Sequence, residues 1–312
     1  MAPVLTITLN PTIDIASEAD LVRPTHKVRT SDERYDPGGG GINVARVVTE
    51  LGGEAEALFL AGGATGALLD DLLEKARIPR RSFPIAEPTR ISFTVHERKT
   101  GLEYRFVAAG PMVGPEELEP CLAFLREADN PWVVASGSLP RGAPPDILAR
   151  MAETAVARGA RFVLDSSGDG LAVTLRRARV FLVKPSRGEL EHFVGGQLDE
   201  RGIREAAVAL VRSGAAELVA VTLGAEGVLL ASAGGVVRMP ALHVPVHSAV
   251  GAGDSFLGAM IFALAQGWTP EEALRLGVAA GAAAVLTPGT ALCGREEVMR
   301  LYAETGQGER IA

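Results

Sequence analysis

Short runs rich in apolar residues recur along this chain at 4–9, 55–60, 132–135, 162–165, 180–183 and 218–223, and each predicts a strand. Between them, apolar positions spaced by three and four predict helices over 41–51, 66–77, 116–128, 146–158 and 200–212. Such alternation predicts an α/β fold of three layers, with a mostly parallel central sheet covered by helices on both faces. Ligands of such sheets bind beyond the carboxyl ends of the strands. Two stretches break the rhythm. Residues 13–36 are polar and extended, and residues 90–106 alternate apolar with polar positions (Ile91, Phe93, Val95, then Leu102, Tyr104, Phe106) around Thr100-Gly101, the pattern of a hairpin. Together they predict a small β-sheet lid projecting from a core made of 1–12, 37–89 and 107–312. Its outer face is apolar, so it should be covered, most simply by a second copy in a homodimer. The tail, 306–312, is expected to fray.

Composition narrows the classes. The 312 residues allow two domains or one large α/β domain with an insertion. A formal net charge of −7, without a block of Lys or Arg, excludes a nucleic-acid footprint. Two cysteines are too few for a disulfide framework and point to a reducing cytoplasm. The first residues lack the charged and long apolar regions of a signal peptide, and the apolar run at 256–264 is too short to span a bilayer. A soluble, cytoplasmic protein is expected, without a membrane partner.

Candidate chemistry concentrates at Ser248-Ala-Val-Gly-Ala-Gly-Asp-Ser255, which follows a short extended segment and leads into an apolar helix. Gly251, Ala252 and Gly253 carry almost no side chain, so a charged ligand can approach their N–H groups where a starting helix leaves donors unpaired. Asp254 lies in the same turn and could take a proton from an incoming hydroxyl. An anion cradle beside a base is what transfer of a phosphoryl group to an alcohol requires. A tight turn with Asp254 as a helix cap would read the same way.

The run Pro37-Gly-Gly-Gly-Gly-Ile-Asn-Val-Ala45 lets backbone crowd a polar ligand, with Asn43 placed to read hydroxyls; a flexible connector is the plainer reading. Lys184 falls at the end of a strand, with Glu189 one helical turn on. Lysine for phosphate and carboxylate for hydrated Mg²⁺ suit a nucleotide site, although Ser186 and Glu189 also have the spacing of a capping box. Thr222-Leu-Gly-Ala-Glu-Gly227 is either a plain turn or a loop under phosphates. Other classes fall away. None of the four lysines follows a glycine, which excludes a P-loop, and Val44 breaks a dinucleotide fingerprint. The serine-hydrolase-like string at 253–256 lacks an Asp-x-x-His partner. His243 and His247 flank Pro245, which suggests a surface strand more than metal ligands.

Taken in order, several blocks are similar to the ribokinase-like sugar kinases of the PfkB family: Leu-Asn-Pro-Thr-Ile-Asp14, the glycine run, Gly62-Gly-Ala-Thr-Gly, Ser136-Gly-Ser-Leu-Pro, Asp165-Ser-Ser-Gly, Val-Lys184-Pro, Val-Gly-Ala-Gly-Asp254-Ser and Gly289-Thr-Ala-Leu-Cys. The similarity covers nearly the whole chain. It implies ATP-dependent phosphorylation of fructose 6-phosphate at its 1-hydroxyl, with Mg²⁺; tagatose 6-phosphate and fructose 1-phosphate are the alternative substrates, and a non-catalytic nucleotide sensor a further one.

On this resemblance Asp254 is the base, with Gly251, Ala252 and Gly253 as the anion hole. Asp14, Gly39, Gly40, Gly41, Asn43, Arg90 and Ser138 hold the sugar phosphate, and Lys27 and Arg29 reach its phosphate, across a dimer interface. Lys184, Ser186, Glu189, Thr222, Gly224 and Gly227 bind ATP, with Glu189 reaching Mg²⁺ through water. Ser248, Val250, Ala284, Thr287 and Gly289 surround a monovalent cation such as K⁺. Three departures stand out. Ser186 replaces the family's asparagine, Ala291 stands where close relatives carry arginine, and Gly40 stands where kinases for the alternative substrates carry lysine.

Overall fold

The computed structural model describes residues 3–287 and 289–311. The chain opens with β1 (Val4–Thr8), passes through β2 (Thr12–Ala19) and β3 (Ser31–Gly38), and turns into α1 (Gly40–Glu50). Then come β4 (Ala55–Ala61), α2 (Gly63–Lys75), β5 (Arg80–Pro84), and the hairpin β6 (Arg90–Glu97) and β7 (Glu103–Val107). The middle alternates through α3 (Pro115–Glu127), β8 (Trp132–Ser136), α4 (Ile147–Ala157), β9 (Arg161–Asp165), α5 (Gly168–Arg177) and β10 (Val180–Val183). Helices α6 (Arg187–Val194) and α7 (Glu200–Arg212) precede β11 (Ala216–Thr222) and a 3₁₀ turn at Gly224–Glu226. The last part holds β12 (Val228–Ser232), β13 (Gly235–Met239), α8 (Ala252–Ala265), α9 (Pro270–Val285), α10 (Arg295–Glu304) and β14 (Glu309–Ile311).

Ten strands make the main sheet in the order β14-β13-β12-β11-β10-β9-β8-β1-β4-β5. From β11 to β5 the pairings are parallel, and β12, β13 and β14 add on antiparallel. Most of the parallel strands are largely apolar because both faces are covered; every residue of β1, Thr6 and Thr8 included, is buried. One face packs on α1, α2, α8 and α9 through Val44, Leu69, Leu257 and Ala279. The other packs on α3, α4, α5 and α7 through Leu122, Leu148, Leu171 and Ile203.

The smaller sheet runs β3-β2-β6-β7, with β2 and β6 parallel and the outer pairs antiparallel. Its register lines up Tyr35, Ile15, Phe93 and Phe106 across all four strands, on one face. Tyr35, Phe93 and Phe106 are 44%, 46% and 60% exposed. The next row, Asp36, Asp14 and Ser92, faces the opposite way and is largely covered.

Several expectations need correction. Residues 13–36 are not extended throughout, since a loop at 20–30 separates β2 from β3, and the strands reach Thr12, Gly38 and Val107. The tail does not fray up to residue 311: β14 pairs with β13, Ile311 packs against the apolar layer, and Arg310 meets Glu271 at 2.6 Å. Ala312 lies outside the described residues. His243 and His247 sit in a loop, not a strand. Both cysteines are free and buried. Among the described residues no helix is long and apolar enough to cross a membrane.

Candidate active site

The site forms where the sheet runs out of strand. At the carboxyl ends of β1, β8, β9, β10 and β11 stand Thr8, Ser136, Asp165, Lys184 just past Val183, and Thr222. Lys184 is only 6% exposed, and its Nζ lies 3.0 Å from Asp165 Oδ1. Ser136 Oγ donates to Asp165 Oδ2 at 3.0 Å. Burial opposes the lysine's charge, but Asp165, Glu189 and Asp254 together outweigh it and hold Lys184 above the usual lysine range. The lysine expected to project at the sheet edge is therefore a buried, braced cation. A side chain at Gly253 would come within 3.7 Å of its Nζ, so the charge sits beside the first turn of α8.

That turn is built around Gly251, whose φ of 73° favours glycine. The helical ladder starts with Ser255 N–H donating to Gly251 C=O at 2.8 Å, so the N–H groups of Ala252, Gly253 and Asp254 precede it. Asp254 keeps part of its surface open beside them. Burial and the neighbouring Asp165 push its carboxyl up to about 6, against Asn43 and Lys184, which favour the ionised form. Asn43 Nδ2 donates to Asp254 Oδ2 at 2.8 Å.

Helix α1 meets α8 closely because Gly258 lies against Val47: a Cβ there would approach the Val47 Cβ to 2.7 Å. Those two residues follow Asp254 and Asn43 by one helical turn, so this contact sets how near the amide comes to the carboxylate. At the foot of α1, Gly40 leaves room for Ser136, whose Oγ a Cβ would approach to 2.2 Å, and Ile42 N–H donates to Thr8 Oγ1 at 2.9 Å. Gly39 caps this helix, and Gly41 follows within its first turn.

Of the residues expected to hold the sugar phosphate, Asp14 sits on β2, and burial raises its carboxyl to about 6 against the pull of Arg90, Arg105 and Arg46. Arg90 donates to the carbonyls of Asn10 and Ala108, both at 2.8 Å, so its guanidinium also staples β6 to the end of β1. Ser138 is exposed and accepts from Asn10 Nδ2 at 3.1 Å. Lys27 and Arg29 are exposed in the loop between β2 and β3.

Of the residues expected to bind ATP, Ser186 and Glu189 form a capping box at the start of α6: Ser186 N–H donates to Glu189 Oε2 at 2.7 Å, and Glu189 N–H to Ser186 Oγ at 3.3 Å. The plainer reading of that spacing is thus present in the fold, and it ties down one carboxylate oxygen. Thr222 N–H donates to Pro185 C=O at 3.0 Å, which docks the Gly224 and Gly227 turn beside Lys184. Further along, Ser248 and Val250 run beside the end of α9, where Thr287 Oγ1 lies 2.7 Å from the carbonyls of both Ala284 and Ala291 and donates its one proton to either of them. Ser248 Oγ donates to Glu103 of β7 at 3.0 Å and accepts from Val250 N–H at 3.2 Å. Gly289, at φ 61°, comes close to Ala16 of β2.

Sequence reasoning gave no role to Asp165, Arg46, Ser136 or Thr8. Asp165 could have been found, since it opens one of the recognised blocks. Nothing local marks Arg46, an arginine inside a helix.

The model of the pfkB family of carbohydrate kinases matches residues 7–297. The chain is 45% identical to ATP-dependent 6-phosphofructokinase isozyme 2 of Mycobacterium tuberculosis, over 99% of this chain and 93% of that protein. Crystal structures of phosphofructokinase-2 from Escherichia coli superpose closely. The complex with potassium gives a TM-score of 0.94 at 38% identity, and the complex with fructose 6-phosphate 0.92 at 36%. The first match covers 97% of this chain and the second 98%, and each takes in 99% of the solved chain. This chain belongs to the pfkB family of carbohydrate kinases.

Proposed function

We propose that this pfkB-family chain transfers the γ-phosphoryl group of ATP to the 1-hydroxyl of fructose 6-phosphate, yielding fructose 1,6-bisphosphate and ADP. The carrying observation is a single bend in which a partly open carboxylate, raised to about 6 and held by Asn43, adjoins free helix N–H groups and the Lys184 cation. The hydroxyl oxygen attacks the γ-phosphorus, the bond to the bridging oxygen of ADP breaks, and the hydroxyl proton passes to Asp254. A carboxylate of that basicity is ionised at neutral pH, yet basic enough to accept a proton as the transfer proceeds. Gly251, Ala252 and Gly253 offer main-chain donors to the charge on the migrating group, with Lys184 behind them.

Asp14, Asn43, Arg90 and Ser138 orient the sugar phosphate, and Lys27 and Arg29 of a second copy, docked on the exposed face of the small sheet, complete its phosphate site. ATP lies over Ser186, Thr222, Gly224 and Gly227. Mg²⁺ suits the donors here. It takes one or two carboxylates, the substrate phosphates and several waters, and among the described residues no three metal-ligating side chains gather. Glu189 would hold it through water, and the bound ion would supply charge neutralisation on the phosphates. K⁺ would take the uncharged oxygens around Ser248, Val250, Ala284, Thr287 and Gly289.

A coupled ADP-release assay with ATP and Mg²⁺ tests the reading over fructose 6-phosphate, tagatose 6-phosphate and fructose 1-phosphate. The largest kcat/KM is expected for the first. A larger value for another sugar reassigns the substrate, and ADP release no faster with sugar than without it rejects the kinase.

A further inference from the structure

We propose that Arg46 is a positioning residue for this reaction, fixing the amide of Asn43 so that its NH₂ group, and not its oxygen, faces Asp254. The proposal rests on the kinase reading above, with Asp254 as base. Arg46 projects from α1 one turn beyond Asn43, towards the base of the small sheet. Its Nη1 donates to Asn43 Oδ1 at 3.2 Å and to Pro37 C=O at 2.9 Å, and its Nη2 lies 3.7 Å from Asp36 Oδ1. Asn43 then donates from Nδ2 to Asp254 Oδ2 at 2.8 Å. Both neighbours demand the same orientation. Turned over, the amide would set oxygen against carboxylate at one end and NH₂ against guanidinium at the other, two mismatches in a covered site. An ionised Asp254 selects that orientation too, but a protonated carboxyl could donate to the amide oxygen, so the Arg46 donor is what holds the orientation in both protonation states.

The carboxylate and the guanidinium are faced by few other charges. Asp254 feels Asp165 and Lys184 from the sheet edge and Asp14 from β2, and Arg46 feels Asp36 and Arg34 from β3, Asp14 from β2 and Asp254 from α8. Cys293, in the loop before α10, is close enough to feel both Arg46 and Glu50. Burial lowers the Arg46 guanidinium from its ordinary value and Asp36 works against that; the arginine remains a cation. Thr290 Oγ1 also donates to Asp36, which fixes the far end of the chain from loop to base.

The test compares kcat and KM from pH 5 to 8 for the wild-type chain, Arg46→Met, Arg46→Lys, Asn43→Ala and the Arg46→Met/Asn43→Ala pair. Arg46→Met should lower kcat about 10²-fold through misplacement of the base, with little change in the KM for ATP. The acid limb of its kcat profile should move to higher pH, since the base loses a hydrogen bond and a cation that both favour ionisation. Arg46→Lys keeps the charge without the fork, so it should hold the acid limb in place while losing about tenfold in kcat. If Arg46 acts through Asn43, adding Arg46→Met to Asn43→Ala should cost less than about threefold more. Additive losses overturn the proposal, as does an unmoved acid limb with activity falling only in step with folded protein in a thermal melt. A wild-type chain without turnover defeats the kinase reading and this proposal together; an active wild type with additive variants defeats the proposal alone.

Discussion

The carboxyl edge of the large sheet and the outer face of the small one solve opposite problems. At the edge, polar groups are buried and satisfied inside the chain: Lys184 by Asp165, Asp165 by Ser136, Asp254 by Asn43, Asn43 by Arg46. On the small sheet, apolar groups are left in water, with Tyr35, Phe93 and Phe106 in one row across the strands. One region pairs its charged side chains within the chain, and the other leaves apolar side chains exposed. Chemistry that must be preorganised is built where a rigid sheet fixes each partner, whereas the small sheet leaves its outer face uncommitted.

The sharpest way to break that contrast is at the base. Asp254→Asn should lower kcat by about 10²–10⁴ while ATP and the sugar phosphate still bind, measured by ADP release and by calorimetry. The melting temperature of that variant should not fall, since burial already works against the ionised carboxyl. Near-normal turnover would remove Asp254 from the mechanism. Lys184→Met comes next. It strands the buried Asp165 carboxylate and should cost about 3–5 kcal/mol of stability in denaturant melts at neutral pH. A stable variant would mean that the edge is less self-contained than its ion pair implies.

Gly258→Ala probes the helix contact that places Asn43 against Asp254. Overpacking there should cost about 1–3 kcal/mol and lower kcat more than it raises KM. A stability loss with unchanged kcat would separate helix spacing from base placement. The smallest effect on the single chain is expected on the open face. Phe106→Glu should leave chain stability within about 0.5 kcal/mol while reducing self-association in sedimentation runs. Unchanged association would mean that some other surface joins the copies.

Much of the architecture was legible because parallel strands covered on both faces are largely apolar, as β1, β8 and β9 are, with Thr8, Ser136 and Asp165 only at their carboxyl ends and few polar residues besides. Blocks such as the Gly251 turn were legible for a similar reason, since backbone that must approach a charged ligand is built from glycine and alanine. The α5 and α10 helices carry no such signature, whereas the Thr269–Glu272 capping box of α9 and the apolar run of β12 are local signals that were missed. Capping and metal binding ask for the same spacing at Ser186 and Glu189, so only coordinates could show the capping box in place.

By itself the sequence determined the layers, the place where the strands end and the residues that could carry phosphoryl transfer, because periodicity and loop chemistry are local properties. The tertiary structure decided who stands beside whom. Asn43 and Asp254 are 211 positions apart, Ser248 meets Glu103 across 145, and Thr290 meets Asp36 across 254. Which carboxylate is raised, which lysine is braced and which arginine orients an amide depend on distances of about 3 Å between such residues, where hydrogen bonding and desolvation act. No pattern along the chain encodes those distances. The packing of α1 on α8 over Gly258 sets one of them, between Asn43 and Asp254.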